Sequence, residues 1–157
     1  MSTQTLAPEK TDAVITGLKT LLADSYVLMA QTHLAHWNVQ GPYFFQLHTA
    51  FQTQYEELFT AVDEIAEHLR TLDVLAPGGL RTLAGGSRVE EMAVTAAPAK
   101  DFVAHLVDAH DLLVANALSL REAAGEANDL ETQDLVIKRL QTHEKTLWML
   151  KSFLRNL

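Results

Sequence analysis

The chain has 157 residues, enough for one domain with a sizeable core and too few for two. It has no cysteine, which removes disulfides, thiolate nucleophiles and thiolate metal sites together, and leaves His, Asp, Glu and carbonyl oxygens as a ligand set suited to iron, manganese or zinc. A formal net charge of −8 disfavours general affinity for nucleic acid, which rests on clustered Lys and Arg.

Taken from the N-terminus, "MSTQTLAPEKTDA" lacks the basic start and apolar run of a signal peptide, so the expected location is cytoplasmic. No window reads as a membrane span, because polar residues and breakers interrupt the apolar stretches. Residues 1–9 are expected to be a flexible tail ahead of a single domain within 1–157. Neither end is a basic arm: Lys10 stands against Glu9 and Asp12, and the C-terminal "LKSFLRNL" carries only Lys151 and Arg155.

Breakers at Gly41-Pro42, at Pro77-Gly78-Gly79 with Gly85-Gly86, at Pro98, and at Gly125 before Asn128-Asp129 leave four long segments. Their apolar residues recur at helical spacing, which predicts helices over 10–38, 43–72, 98–124 and 129–155. In the second, Leu47, Phe51, Tyr55, Leu58, Val62, Ile65 and Leu69 form one apolar stripe. The stretch 73–97 must join the second helix to the third, and "SRVEEMAV" within it has room for a short helix. The expected fold class is all-α, a four-helix bundle whose long crossover makes it ferritin-like rather than simply up and down.

At about 100° per residue, with His48 set at zero, Gln52 falls at about 40°, Asp63 at about 60° and Glu67 at about 100° on the second helix. These four share one face beside the apolar stripe. Gln52 and Asp63 are nevertheless roughly 16 Å apart along the axis, whereas a metal bond is about 2 Å. One copy cannot bring both ends to one ion. A second copy running antiparallel can, because the same register sets His48 opposite Glu67 and Gln52 opposite Asp63 across a two-fold axis. The Gly41-Pro42 turn brings His36, at the end of the first helix, back toward His48. Taken singly, each residue is more ordinary as a solvated neighbour of the core. Two i,i+4 pairs in complementary register and a third ligand positioned by a turn favour a shared metal site. A bundle-core di-iron site is excluded on its own pattern, since no histidine follows a Glu by three positions.

At these residues the sequence resembles the Dps family of mini-ferritins, through "HWNVQGPYFFQLHTAFQTQYEELFTAVDEIAEHLR" at 36–70, "ANDLETQDL" at 127–135 and "HEKTLWMLKSFL" at 143–154. The resemblance implies a hollow dodecamer with ferroxidase sites at its dimer interfaces, each combining His36 and His48 of one subunit with Asp63 and Glu67 of its mate. Position 52, where the family has Asp or Glu, is Gln52 here. The implied activity is oxidation of Fe(II), with hydrogen peroxide or dioxygen as oxidant, and storage of ferric mineral inside the shell. The ligands implied for metal are His36, His48, Gln52, Asp63 and Glu67; those implied for catalysis are the same set without Gln52.

Several neighbours carry two readings. Asp129, Glu131 and Asp134 are first-turn acids that a helix dipole favours; by resemblance they line a three-fold iron-entry pore. Trp37 is a packed aromatic or an interceptor of stray oxidising equivalents. His33 could share a face with His36, Glu56 and Glu57 are solvated charges or nucleation sites, and His68, His105, His110 and His143 are expected to be structural. Two rival functions stand beside the ferroxidase: a DNA-coating shell, against which the near-neutral tail speaks, and a shell that sequesters zinc without oxidising it.

Overall fold

The structure is a computed structural model that describes residues 8–157, in the order α1 (Pro8–Asn38), α2 (Phe44–Thr71), α3 (Leu80–Gly86), α4 (Ala99–Glu126) and α5 (Leu130–Leu154). Of the expected tail, residues 1–7 lie outside the described residues, whereas Pro8 and Glu9 open α1. Proline is tolerated there because the first turn has no use for its missing N–H. The described residues form helices and no strands, and the four long helices fall within a few residues of the predicted spans.

The predicted stripe of α2 is its core face: Leu47, Phe51, Leu58, Val62, Ile65 and Leu69 are buried, with Phe51 fully so. Burying such a ring contributes roughly 2–3 kcal/mol, and Phe51→Ala would cost about 3–5 kcal/mol once the cavity is included. α1 packs along α2 and α4, and α4 along α5. Contact between α2 and α5 is sparse, and a groove of ≈ 740 Å³ runs between them. At the α1–α4 crossing Gly17 permits close approach, since a Cβ there would lie 2.7 Å from Leu120 Cδ1. The expectation about membrane spans needs correction: Thr11–Asn38 is long and apolar enough by length and composition. Its apolar side is spent in the bundle, where Leu18, Leu21 and Leu28 are fully buried.

The extra helix exists, but it is α3 at Leu80–Gly86 rather than within "SRVEEMAV". That stretch is held extended because side chains of α1 take its backbone donors. Asp24 Oδ1 accepts from Ser87 Oγ and from the Arg88 N–H, both at 2.9 Å, and Gln31 Oε1 accepts from the Met92 N–H at 2.7 Å. His105 Nε2 donates to the same Gln31 oxygen. N–H groups already paired in this way cannot enter an i to i−4 ladder.

Two helix ends set the turns around the site. α2 and α4 both close with a left-handed residue, Asp73 at φ 61° and Asn128 at φ 55°. In each, the following N–H reaches back five residues, Val74 to Leu69 O and Asp129 to Ala124 O. This is the Schellman arrangement, which satisfies carbonyls that the helix end leaves unpaired.

Candidate metal centre

The α1–α2 turn is short, and Gly41 makes it at φ 97°, a left-handed value that disfavours any side chain. Its carbonyl accepts from the Phe44 N–H at 3.1 Å, and Val39 is buried beneath it. The consequence is a histidine pair. His36 and His48 stack with ring centroids 3.7 Å apart and planes 15° apart. His36 Nδ1 pairs with the His48 carbonyl at 2.7 Å, and His48 Nδ1 with the His36 carbonyl at 2.8 Å.

That reciprocity fixes the chemistry of both rings. A carbonyl can only accept, so each Nδ1 donates, and in each neutral ring Nε2 carries the lone pair that a metal needs. Backbone anchoring of the distal nitrogen is also what orients a ligating imidazole. Aromatic neighbours hold the pair from the sides: Phe44 stacks on His48 at 4.9 Å, and Tyr55 meets His36 edge-on at 5.1 Å. His33 does not join the pair. It stacks on Trp37 and tilts against Tyr55, and burial, followed by the nearness of the titratable His36 ring, lowers its pKa. Trp37 itself is 68% exposed.

The other expected ligands lie elsewhere along α2. Gln52, Asp63 and Glu67 are exposed, and Gln52 Nε2 donates to Glu56 Oε1 at 2.9 Å. Among the described residues of one chain, no three His, Asp or Glu groups converge on one point. The chain therefore assembles two imidazoles and presents its carboxylates further along the same helix.

Asp129 caps α5: its Oδ1 accepts from the Thr132 N–H at 3.0 Å and its Oδ2 from the Thr132 hydroxyl at 2.7 Å. Thr132 Oγ1, its proton so used, accepts from His68 Nε2 at 2.7 Å, which ties the end of α2 to the start of α5. Both oxygens of Asp129 are thus committed within the chain. Glu131 and Asp134 are exposed and line the α2–α5 groove with Glu57 and Glu64, while Asp134 pairs with Lys138 and raises its pKa.

Sequence reasoning missed one constellation. His110 of α4 and His143 of α5 are buried with their Nδ1 atoms 3.0 Å apart, and Arg139 Nη2 lies 3.0 Å from His143 Nε2. Arg139 is closed by a two-point ion pair with Glu57, which is therefore no free nucleation site. A guanidinium only donates, so His143 accepts at Nε2, donates from Nδ1 to His110 Nδ1, and leaves the proton of His110 on its Nε2. Burial, then Arg139, pushes His110 down to about 4 and His143 well below its ordinary value. With no free lone pair on either outer nitrogen, this pair does not fit a metal.

A ferritin-like domain family matches residues 15–157. A DNA protection during starvation protein 2 from Bacillus anthracis is 31% identical over 141 residues, covering 90% of this chain and 96% of that protein. The chain belongs to the Dps family of mini-ferritins. A low temperature-induced protein from Nostoc is 35% identical over 150 residues, covering 95% of this mini-ferritin and 84% of the relative. The crystal structure of Dps from Vibrio cholerae O1, described as a member of a broad superfamily of ferritin-like diiron-carboxylate proteins, matches with a TM-score of 0.90 at 28% identity, covering 99% of this chain and 97% of that one. Family membership makes this an iron-handling mini-ferritin. Imidazole nitrogen and carboxylate oxygen are ligand types that accept both Fe(II) and Fe(III).

Proposed function

We propose that this mini-ferritin is a ferroxidase that oxidises Fe(II) at sites shared between two subunits and stores the ferric product inside a closed homo-oligomeric shell, a dodecamer by family resemblance. The observation that carries this reading is the His36–His48 pair, both of whose Nε2 lone pairs are freed by reciprocal Nδ1 bonds to backbone carbonyls. Each site takes His36, His48 and Gln52 from one subunit and Asp63 and Glu67 from its mate, brought together by antiparallel α2 helices. Fe(II) is the substrate, and hydrogen peroxide is the favoured oxidant, with dioxygen as the alternative. Two neighbouring Fe(II) ions give two electrons to one peroxide, which with two protons becomes two waters, so no hydroxyl radical is released. This chemistry suits a cytoplasmic protein that limits oxidative damage.

Glu131 and Glu64, exposed in the α2–α5 groove and joined there by Asp134, whose charge Lys138 partly offsets, support an acidic entry path for Fe(II). Asp129 contributes to it only by holding the start of α5. DNA coating is disfavoured by the net charge of −8, and zinc binds the same ligands without redox chemistry. Anaerobic Fe(II) titration followed by stoichiometric peroxide tests the proposal, with ferric absorbance and particle size followed together. Two irons oxidised per peroxide inside an intact shell is the expected result. Binding without oxidation would leave the zinc-type sequestering shell as the better reading.

A further inference from the structure

Position 52 is where this chain lacks the carboxylate that its family resemblance leads one to expect, and the fold gives the glutamine a charged neighbour. Gln52 Nε2 donates to Glu56 Oε1 at 2.9 Å, one helical turn along α2. Holding the amide nitrogen on a carboxylate leaves Gln52 Oε1 as the atom free to meet an ion. The same bond polarises the amide, because donation from its N–H to an anion shifts electron density toward the carbonyl oxygen. Glu56 is too far along the helix to serve as a ligand with His48, roughly 12 Å away in axial rise against a metal bond of about 2 Å.

We infer that Glu56 is a positioning residue of the metal centre: it orients and polarises Gln52, so that a neutral ligand presents part of the field of the missing carboxylate. The arrangement parallels the carboxylate that backs a ligating histidine in many metal sites. This rests on the inter-subunit site proposed above. The register that sets His48 opposite Glu67 also sets Glu56 opposite Phe59 of the partner subunit. Phe59 is 69% exposed in the single chain. A phenyl ring laid over the Gln52–Glu56 bond excludes water from it and strengthens it. The charge of Glu56 acts through residue 52, so its effect must depend on what residue 52 is.

A double-mutant cycle on assembled iron-free shells tests that dependence, with Co(II) as a redox-inert probe read by titration calorimetry and visible absorption. The position that His48 and Gln52 supply, with a neutral oxygen in place of a carboxylate, is the weaker of two Co(II) steps, and Glu56→Gln in the native background should weaken that step by about tenfold, the loss typical of an outer-shell partner. Gln52→Glu should tighten that step. In the Gln52→Glu background Glu56→Gln should cost clearly less, because a carboxylate at position 52 needs no partner to orient or polarise it and only the screened through-space charge of Glu56 is lost. Equal losses in both backgrounds would overturn the inference, since Glu56 would then act as an independent charge or ligand. No loss in the native background, with His48→Ala still abolishing a Co(II) step, would overturn it too while leaving the metal centre intact. Both Co(II) steps surviving His48→Ala would overturn the shared site and the inference together.

Discussion

Gly41 carries the geometry of the histidine pair through its backbone alone. At φ 97° a Cβ would meet no atom within 4 Å, so Gly41→Ala adds no clash and costs only the strain of a left-handed alanine, about 1–2 kcal/mol. Gly78 is equally open but has no such backbone requirement. Gly41→Ala should therefore lower the thermal midpoint, while Gly78→Ala should leave it unchanged or raise it by reducing the freedom of the unfolded chain. Co(II) affinity should fall in the first variant only, because a relaxed turn breaks the reciprocal Nδ1 bonds that free both Nε2 atoms. Equal midpoints and affinities in the two variants would remove Gly41 from the account of the site. The sequence made His36 and His48 legible as a pair because a Gly-Pro break between two helices forces a tight return. What it could not give was the tautomer, which depends on which carbonyl each ring nitrogen meets.

The start of α5 separates two roles that acidic residues share in a first turn. Asp129 holds the Thr132 N–H and hydroxyl, whereas Glu131 has its charge in the groove. Asp129→Ala should cost about 1–2 kcal/mol as a lost cap, measured by urea denaturation, and Glu131→Gln should cost almost nothing in the same assay. If Glu131 and Asp134 form an entry path, Glu131→Gln with Asp134→Asn should instead slow iron uptake, most clearly at low salt. A stability loss from Glu131→Gln as large as that from Asp129→Ala would reverse the assignment. The four long helices were readable because breakers bracket clean helical periodicity. α3 was misplaced by several residues because the donors of "SRVEEMAV" are taken by Asp24 and Gln31, far away in sequence on α1. The His110–His143 pair was invisible for a related reason: its members lie on two helices whose relative rotation no single-helix pattern supplies.

Across the whole molecule, the buried pair makes stability depend on acid, and the site proposed between subunits would make activity depend on assembly. The ring of His110 faces Arg139, His143 and Asp111, and burial dominates, holding its pKa at about 4 against an ordinary 6.5. Between those values the unfolded chain binds a proton that the folded chain refuses, so stability is lost as pH falls from about 6.5 to about 4 and is flat above. For His110 the full traverse is worth about 3 kcal/mol, and the depressed pKa of His143 adds in the same direction. His110→Gln should make the urea midpoint fall less steeply between pH 6.5 and 4.5, with the share of His143 remaining; an unchanged slope would place the acid sensitivity elsewhere. The proposed sharing of the site between subunits makes a stronger demand. A chain carrying His36→Ala with His48→Ala, and another carrying Asp63→Ala with Glu67→Ala, should each form inactive shells. In a mixed dimer one dyad-related site combines both defects and the other combines both intact halves. Random co-assembly at equal proportions should thus restore about a quarter of the native sites, because half of the two-fold pairs are mixed and each regains one site. Peroxide-dependent iron oxidation by co-refolded shells measures this, with mass spectrometry verifying mixed dimers. Verified mixed dimers without any recovered oxidation would mean that the histidines and the carboxylates do not meet across the two-fold axis.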